Sequence, residues 1–340
     1  MTTKETTVTE RTSQARGRGR SEKGALQDLV SASGAGVFVA LAALVVLMSF
    51  LSPYFLKTQN VFNVLRGMST IGIMAIGQTM IIVTAGIDLS VGSILAAAGM
   101  ATARLMYHGV NPWVSFLGGL ALGLVLGAIN GFLITKAGIN AFITTLGMLS
   151  VGRGLTYLLA TGVKGTVASN IPMDSEAVNF MGAGYIGPVP FPVIEMALLV
   201  VVFTLFLRFT VLGRQIYATG SNLEAARLSG VNVDRVRMFA YTVTGGLCAL
   251  AGVMEGGLLS TAATNAGTGK ELDVIAAVVI GGASLVGGEG TIYGAIIGAA
   301  IMAVIRNAFV LLHLPIHMQT VTIGVVIVLA VGIDRLRKRS

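Results

Sequence analysis

The sequence predicts an all-α, polytopic membrane protein with about ten transmembrane helices and two halves of inverted topology. Three observations carry that reading. Of 340 residues, 54% are hydrophobic and only 11% charged, too little polar surface to cover a soluble globule. The apolar residues come in long runs nearly free of charge, as bilayer spans require. The net charge of +8 gathers at the chain ends and in one central loop, which argues against a nucleic-acid footprint and for membrane sidedness. The single cysteine, Cys248, has no internal disulfide partner and reads as a small apolar packing residue.

Residues 1–28 hold Lys4, Arg11, Arg16, Arg18, Arg20 and Lys23 among Ser, Thr and Gly, a composition that cannot bury a core and predicts a disordered cytosolic tail. The run 29–56 is too long for a cleaved signal and reads as the first span. Nine more spans are expected near 66–86, 89–107, 113–135, 139–160, 191–209, 237–258, 272–287, 290–311 and 317–333, with Gly, Pro and polar clusters at the joins. Spans three and eight are both short. The membrane domain is thus 29–335, followed by a basic tail, 336–340. With the amino tail inside, 16 of the 23 Lys and Arg residues fall on the cytosolic side, including Lys136, five in the central loop and four at the end. Lys57, Arg66, Arg104, Lys164 and Lys270 fall outside. That bias places both termini in the cytosol and the loop 210–237 with them. Spans two to five then begin outside and spans seven to ten inside, an inverted arrangement suited to alternating access.

The central loop is the longest polar interruption in the second half. Ser221 and Glu224 have capping-box spacing, Ala225, Ala226 and Leu228 favour a helix, and Gly230 can end it in a left-handed conformation. Two turns cover about 12 Å, too short to cross a bilayer, so the helix is expected to lie on the membrane surface and to offer a small apolar face. A solvated connector is the plain alternative.

Other patterns read as packing. Gly119, Gly123, Gly127 and Gly131 recur every four residues and let another helix approach closely, as do Gly294 and Gly298. In AGIDLSVGS (85–93), Gly86 is expected to end one span and Asp88 or Ser90 to cap the next. The GGASLVGGEG segment predicts a tight connection. Gly269 and Lys270 are followed by Glu271, so there is no Walker A loop, and this chain is expected to carry no ATPase site of its own. Gly182, Gly184 and Gly187 match GxGxxG in an outer loop, a chance match. His313 and His317 flank Pro315 without a third ligand, so no metal, cofactor or catalytic residues are expected. Arg153, Arg306, Glu195, Glu255 and Asp273 fall inside spans, where ionisable groups are costly and pair or face water. Asp88, Arg153, Glu255, Asp273 and Arg306 are the gate or pathway candidates, weighed against ion pairs that only hold helices together; Arg153 or Arg306 is the expected partner of Glu255.

Three stretches resemble one family. GRQIYATGSNLEAARLSGVNV, AGIDLSVGS and AGTGKELDVIAAVVIGGASLVGGEGT are similar to signatures of the ribose and xylose type of ABC sugar permease, and the likeness runs over roughly residues 50 to 335. The resemblance implies a monosaccharide importer in a bacterial cytoplasmic membrane. It implies two copies of this chain, a separate cytosolic ATPase holding ATP and Mg, and an outer sugar-binding protein. It makes the central loop the ATPase-coupling element, with Gly220, Ser221, Asn222, Glu224, Ala225, Ala226, Arg227 and Gly230 as its residues. A branched-chain amino acid permease is the sister alternative; a channel or ion-coupled transporter working without an ATPase is the alternative of another class.

Overall fold

The computed structural model describes residues 35–162 and 168–337; the basic tail 1–28, Lys164 and the last three residues lie outside them. The described residues are all-α apart from four short strands. Its helices are α1 (Ala35–Leu51), α2 (Thr58–Val83), α3 (Val91–Tyr107), α4 (Pro112–Thr135), α5 (Ala141–Ala160), α6 (Glu176–Ala183), α7 (Phe191–Phe209), α8 (Val211–Ser221), α9 (Leu223–Leu228), α10 (Val233–Leu259), α11 (Lys270–Ile280), α12 (Ile292–Leu311) and α13 (Ile316–Arg337). Six of them (α2, α4, α5, α7, α10 and α12) are long and apolar enough to cross a membrane, and α1, α3 and part of α13 are shorter apolar helices. The chain is therefore a multi-pass helical membrane protein. The side facing lipid is legible as exposed apolar residues, such as Leu198, Val201 and Leu205 on α7 and Val321, Val325 and Val328 on α13.

Glycines set the centre. Gly123 and Gly127 of α4 lie against Gly245 of α10, Gly131 against Met238, and Gly119 against Ala98 and Thr102 of α3; a methyl group at any of them would meet backbone or side chain. Gly252 of α10 is likewise pressed on Leu95 and Gly99 of α3, and Gly298 of α12 on Ala277 of α11. Where lipid removes the hydrophobic drive between helices, such close backbone approach supplies the packing. The main core joins α2, α3, α10, α11 and α12; a second cluster, with Met100, Ile171, Met173, Val178 and Val253, sits at one end.

At that end the connection after α5 is more ordered than a plain loop. It holds α6, a hairpin of β2 (Tyr185–Ile186) with β3 (Val189–Pro190), and β1 (Asn170–Pro172), which pairs antiparallel with β4 (Thr261–Ala263) just after α10. Gly182, Gly184 and Gly187 belong to this packing: Gly182 abuts α10, Gly184 closes α6 and Gly187 turns the hairpin.

The expected span 272–287 is shortened for a physical reason. Gly252 touches Leu95, and Gly267 touches Gly92, three residues earlier on α3. Since α3 runs alongside α10 in the same direction, the chain leaving α10 at Leu259 turns back into the bundle by about 15 Å before α11 starts. Eleven residues at about 1.5 Å each then give α11 a half-length, and it ends at Gly281. Irregular backbone at such depth is tolerated only where protein or a cavity surrounds it.

Candidate functional site

Three segments distant in sequence meet at the end of the bundle opposite β1 and β4: the α8–α9 corner, the turn between α2 and α3, and the glycine-rich connection from α11 to α12. The corner is more helical than the sequence reading allowed. Thr210 Oγ1 accepts the Gly213 N–H at 3.0 Å and starts α8, which buries Gly213, Ile216 and Thr219. Ser221 is the last residue of α8, and its hydroxyl donates to the Tyr217 carbonyl at 2.9 Å. The expected Ser221–Glu224 capping box therefore does not form. Asn222, extended at φ −158, breaks the chain direction, and its Oδ1 accepts the Ala225 N–H at 2.9 Å, making it the cap of α9. Gly230 ends the helix at φ +80 as expected: Val231 N–H donates to the Ala226 carbonyl and Gly230 N–H to that of Arg227.

The face of α9 also differs from expectation. Ala226 is buried against its own chain, whereas Glu224, Ala225 and Arg227 are exposed and Leu228 is 90% exposed. The apolar group offered outward is Leu228.

Gly220 lies against the Val83 carbonyl and the Gly288 N–H, leaving no room for a side chain. Gly288 N–H itself donates to Val83 O at 2.9 Å, Tyr217 Oη donates to Gly290 O at 2.8 Å, and Arg237 reaches Thr84 O at 3.3 Å. Ala85 and Gly287 are in contact as well. All three resembling stretches thus share one junction. Tyr217, Gly288 and Arg237 were missed from sequence; the only hint was Tyr217 lying one turn before Ser221 on the same helix. Burial raises the Tyr217 hydroxyl above its usual range, aided by Tyr293, which keeps it a neutral donor.

In the α2–α3 turn the left-handed residue is Ala85, φ +59, and Gly86 serves another need. Gly86 is crowded by Tyr241 Oη, where only a hydrogen fits. Asp88 is fully buried. Its Oδ1 accepts the Ser90 N–H at 2.7 Å and the Ser90 hydroxyl at 2.5 Å, while Oδ2 finds no partner among the described residues. Ser90 also receives Asn130 Nδ2 at 2.9 Å from α4. Burial pushes the Asp88 carboxyl up to about 6 against the two Ser90 bonds, which act to lower it. Asp88 thus organises its own turn beside the corner, and the expected cap of α3 by Asp88 or Ser90 does not form: Asp88 bonds Ser90, one residue before the helix starts, and no side chain caps α3.

The remaining pathway candidates sit elsewhere and pair differently from expectation. Glu255 meets Lys270 at 2.5 Å, not an arginine. Arg306 pairs with Asp273, and Arg153 donates to the Thr264 and Ala266 carbonyls at 3.0 and 2.7 Å. Each arginine is consumed by the re-entering α10–α11 segment or by α11 itself. Among the described residues, no group of three His, Cys, Asp or Glu side chains could hold a metal ion.

Residues 60–331 match the family described as branched-chain amino acid transport system / permease component. The chain is 42% identical over 296 residues to the ribose import permease protein RbsC of Escherichia coli (strain K12), covering 87% of this chain and 92% of that protein. It is 41% identical over 304 residues to RbsC of Bacillus subtilis (strain 168), covering 88% and 92%. It is 39% identical over 306 residues to the D-allose transport system permease protein AlsC of Escherichia coli (strain K12), covering 88% and 91%. No solved structure matches it.

Proposed function

This chain belongs to the family described as branched-chain amino acid transport system / permease component, and from that premise we propose that it is the membrane-spanning permease subunit of an ABC importer for a monosaccharide. The family description alone would admit an amino acid. The ribose, allose and xylose names of its relatives favour a sugar, as does the wording of the three motifs. The chain works as a homodimer in a bacterial cytoplasmic membrane, with an outer sugar-binding protein delivering substrate and a cytosolic ATPase supplying ATP and Mg. Catalysis belongs to that ATPase.

The short helices α1, α3, α11 and α13 join the six long ones as membrane segments, giving ten with α3 and α11 only partly crossing. Both termini and the α8–α9 corner lie in the cytosol. The two halves then have inverted topology, with α2–α5 opposed to α10–α13.

The observation that carries the coupling role is the junction itself. A surface helix with an exposed leucine is braced, through Gly220, directly on the backbone of two connections between membrane helices. Pressure on α9 from an ATPase therefore reaches α2, α3, α11 and α12 without passing through flexible side chains. Leu228 is the group that enters the ATPase, and Ala226 is not, since it is already packed. Leu228→Asp is expected to insert and fold normally, yet to lose co-purification with the ATPase and sugar uptake together. Wild-type association and uptake by Leu228→Asp would make the corner a plain connector.

A further inference from the structure

The half-length of α11 leaves a space above it. A cavity of about 250 Å³ lies between α3, α10 and the segment that returns from α10 to α11. Its polar lining is Glu255, Asn265, Thr268 and Lys270, with Thr261, whose hydroxyl is already given to the Ile171 carbonyl, and Gly252 and Gly267 bring bare backbone to the wall. Leu95 and Leu259 supply apolar patches. The Glu255–Lys270 pair is only partly exposed, at 19% and 23% of its side chains, and closes on itself at 2.5 Å.

We propose that this cavity is a monosaccharide-holding subsite on the outer side of the permease, with Glu255, Lys270, Asn265 and Thr268 facing the sugar hydroxyls. The sidedness and the sugar class rest on the function proposed above; the location and the residues rest on the cavity. The lining decides between ligand classes. A sugar carries hydroxyls that both donate and accept around its edge and C–H groups on its faces, and the wall offers a carboxylate, an ammonium, an amide, a hydroxyl and apolar patches within one small volume. A charged solute would have to break the Glu255–Lys270 pair to gain a partner and would leave the other charge unmatched. A neutral polyol can hydrogen-bond to both charged groups while they stay paired.

The floor of the site adds a reason for this placement. Gly267, in the lining, is in backbone contact with Gly92 at the start of α3, and the Glu271 carboxylate also lies against Gly92. Four residues before Gly92 stands Asp88, in the turn that joins the cytosolic junction. A sugar resting in the cavity is thus separated from the coupling side by one main-chain contact. Its occupancy is placed where movement of the α2–α3 turn would release it inward.

The test uses the assembled importer in right-side-out membrane vesicles, with Asn265→Cys as the only added thiol. Native Cys248 is buried, so wild-type protein is the blank. A membrane-impermeant methanethiosulfonate reagent labels the new thiol from outside, with and without D-ribose, D-xylose or D-allose. Sucrose is the size control. At about ten times its dissociation constant, one of the three monosaccharides slows labelling about tenfold, because only the empty fraction reacts. Sucrose leaves the rate unchanged. Glu255→Gln then raises the sugar concentration needed for protection without abolishing labelling. Equal labelling rates with all three sugars, or no labelling from outside, overturn the subsite. ATPase co-purification and uptake measured on vesicles that keep Asn265 report the coupling role separately, so either idea can fail alone.

Discussion

The turn entering α3 and the segment entering α11 are built on similar words, AGIDLSV and AGTGKELDV, and each leads into a short, buried helix. Their acids are handled in opposite ways. Among the described residues no cation is hydrogen-bonded to Asp88, which leans on hydrogen bonds from Ser90 two residues on. Asp273 is equally buried but is held by Arg306 from α12, and Lys270 beside it is held by Glu255 from α10. The first turn holds its acid with its own backbone and hydroxyl, and its ties to other helices are hydrogen bonds, such as those from Asn130 of α4 to Ser90 and from Arg237 of α10 to Thr84 O. The second is tied by charge to two other helices, so it registers their relative positions. A turn that must move as a unit with the coupling junction suits the first design, and a segment that must sense helix separation around a cavity suits the second.

The largest expected effect breaks the second turn. In Arg306→Met, Asp273 keeps a side chain only 1% exposed and loses its partner. Such an orphaned charge costs about 3–5 kcal/mol, taken toward the lower end because Arg306 itself is 37% exposed. Thermal melting in detergent should show the loss, and adding Asp273→Asn should recover much of it. An unchanged melt in Arg306→Met would mean that the pair is not structural. Next comes Gly92→Ala, which tests the contact between the two turns. Its methyl would run into the Gly267 carbonyl, and relieving that overlap costs about 1–3 kcal/mol. Separation of the turns should also raise cysteine labelling at position 265, and no change in either readout removes the floor from the cavity.

The smallest effect belongs to Asp88→Asn. The amide oxygen can keep both Ser90 bonds, so stability should change by less than about 1 kcal/mol, whereas Asp88→Leu should lose about 1–3 kcal/mol. The pH dependence is the sharper readout. Burial raises the folded carboxyl from 3.8 to about 6, so the folded state holds its proton more tightly than the unfolded chain. The stability this contributes is complete at low pH and is lost as pH rises through about 6. Melting temperature should therefore fall over that window in the wild type and flatten in Asp88→Asn. Identical pH profiles would place a cation or water on Oδ2.

Much of this fold was legible because bilayer spans are written in one dimension: length, apolarity and glycine spacing found α2, α4, α5, α7, α10 and α12, and the ridge from Gly119 to Gly131 proved to be a packing ridge. What escaped depends on three dimensions. Asn222 won the cap from Ser221 because α8 extends through Ser221, and nothing local showed that α8 exists as a buried-faced helix. The partner of Glu255 was sought among residues inside spans, while Lys270 had been assigned to the outer loop. The re-entry of the α10–α11 segment places that lysine beside the acid. Tyr217 and Gly288 were invisible for a simpler reason, since each acts through a main-chain partner that sequence does not label.

The bond from Gly288 N–H to Val83 O is made wholly of main-chain atoms. An alanine scan along the three segments would therefore leave that bond intact and, apart from Tyr217, whose hydroxyl donates to Gly290 O, would report mainly the glycines whose new methyl groups pry the joint apart. Screens for uncoupled mutants should accordingly be dominated by gains of bulk at Gly220, Gly287 and Gly288, with few losses of function from trimming side chains. The joint would then be recognised genetically by where the protein refuses to grow, and a drug directed at it would have to wedge between backbones, with no side-chain pocket to fill.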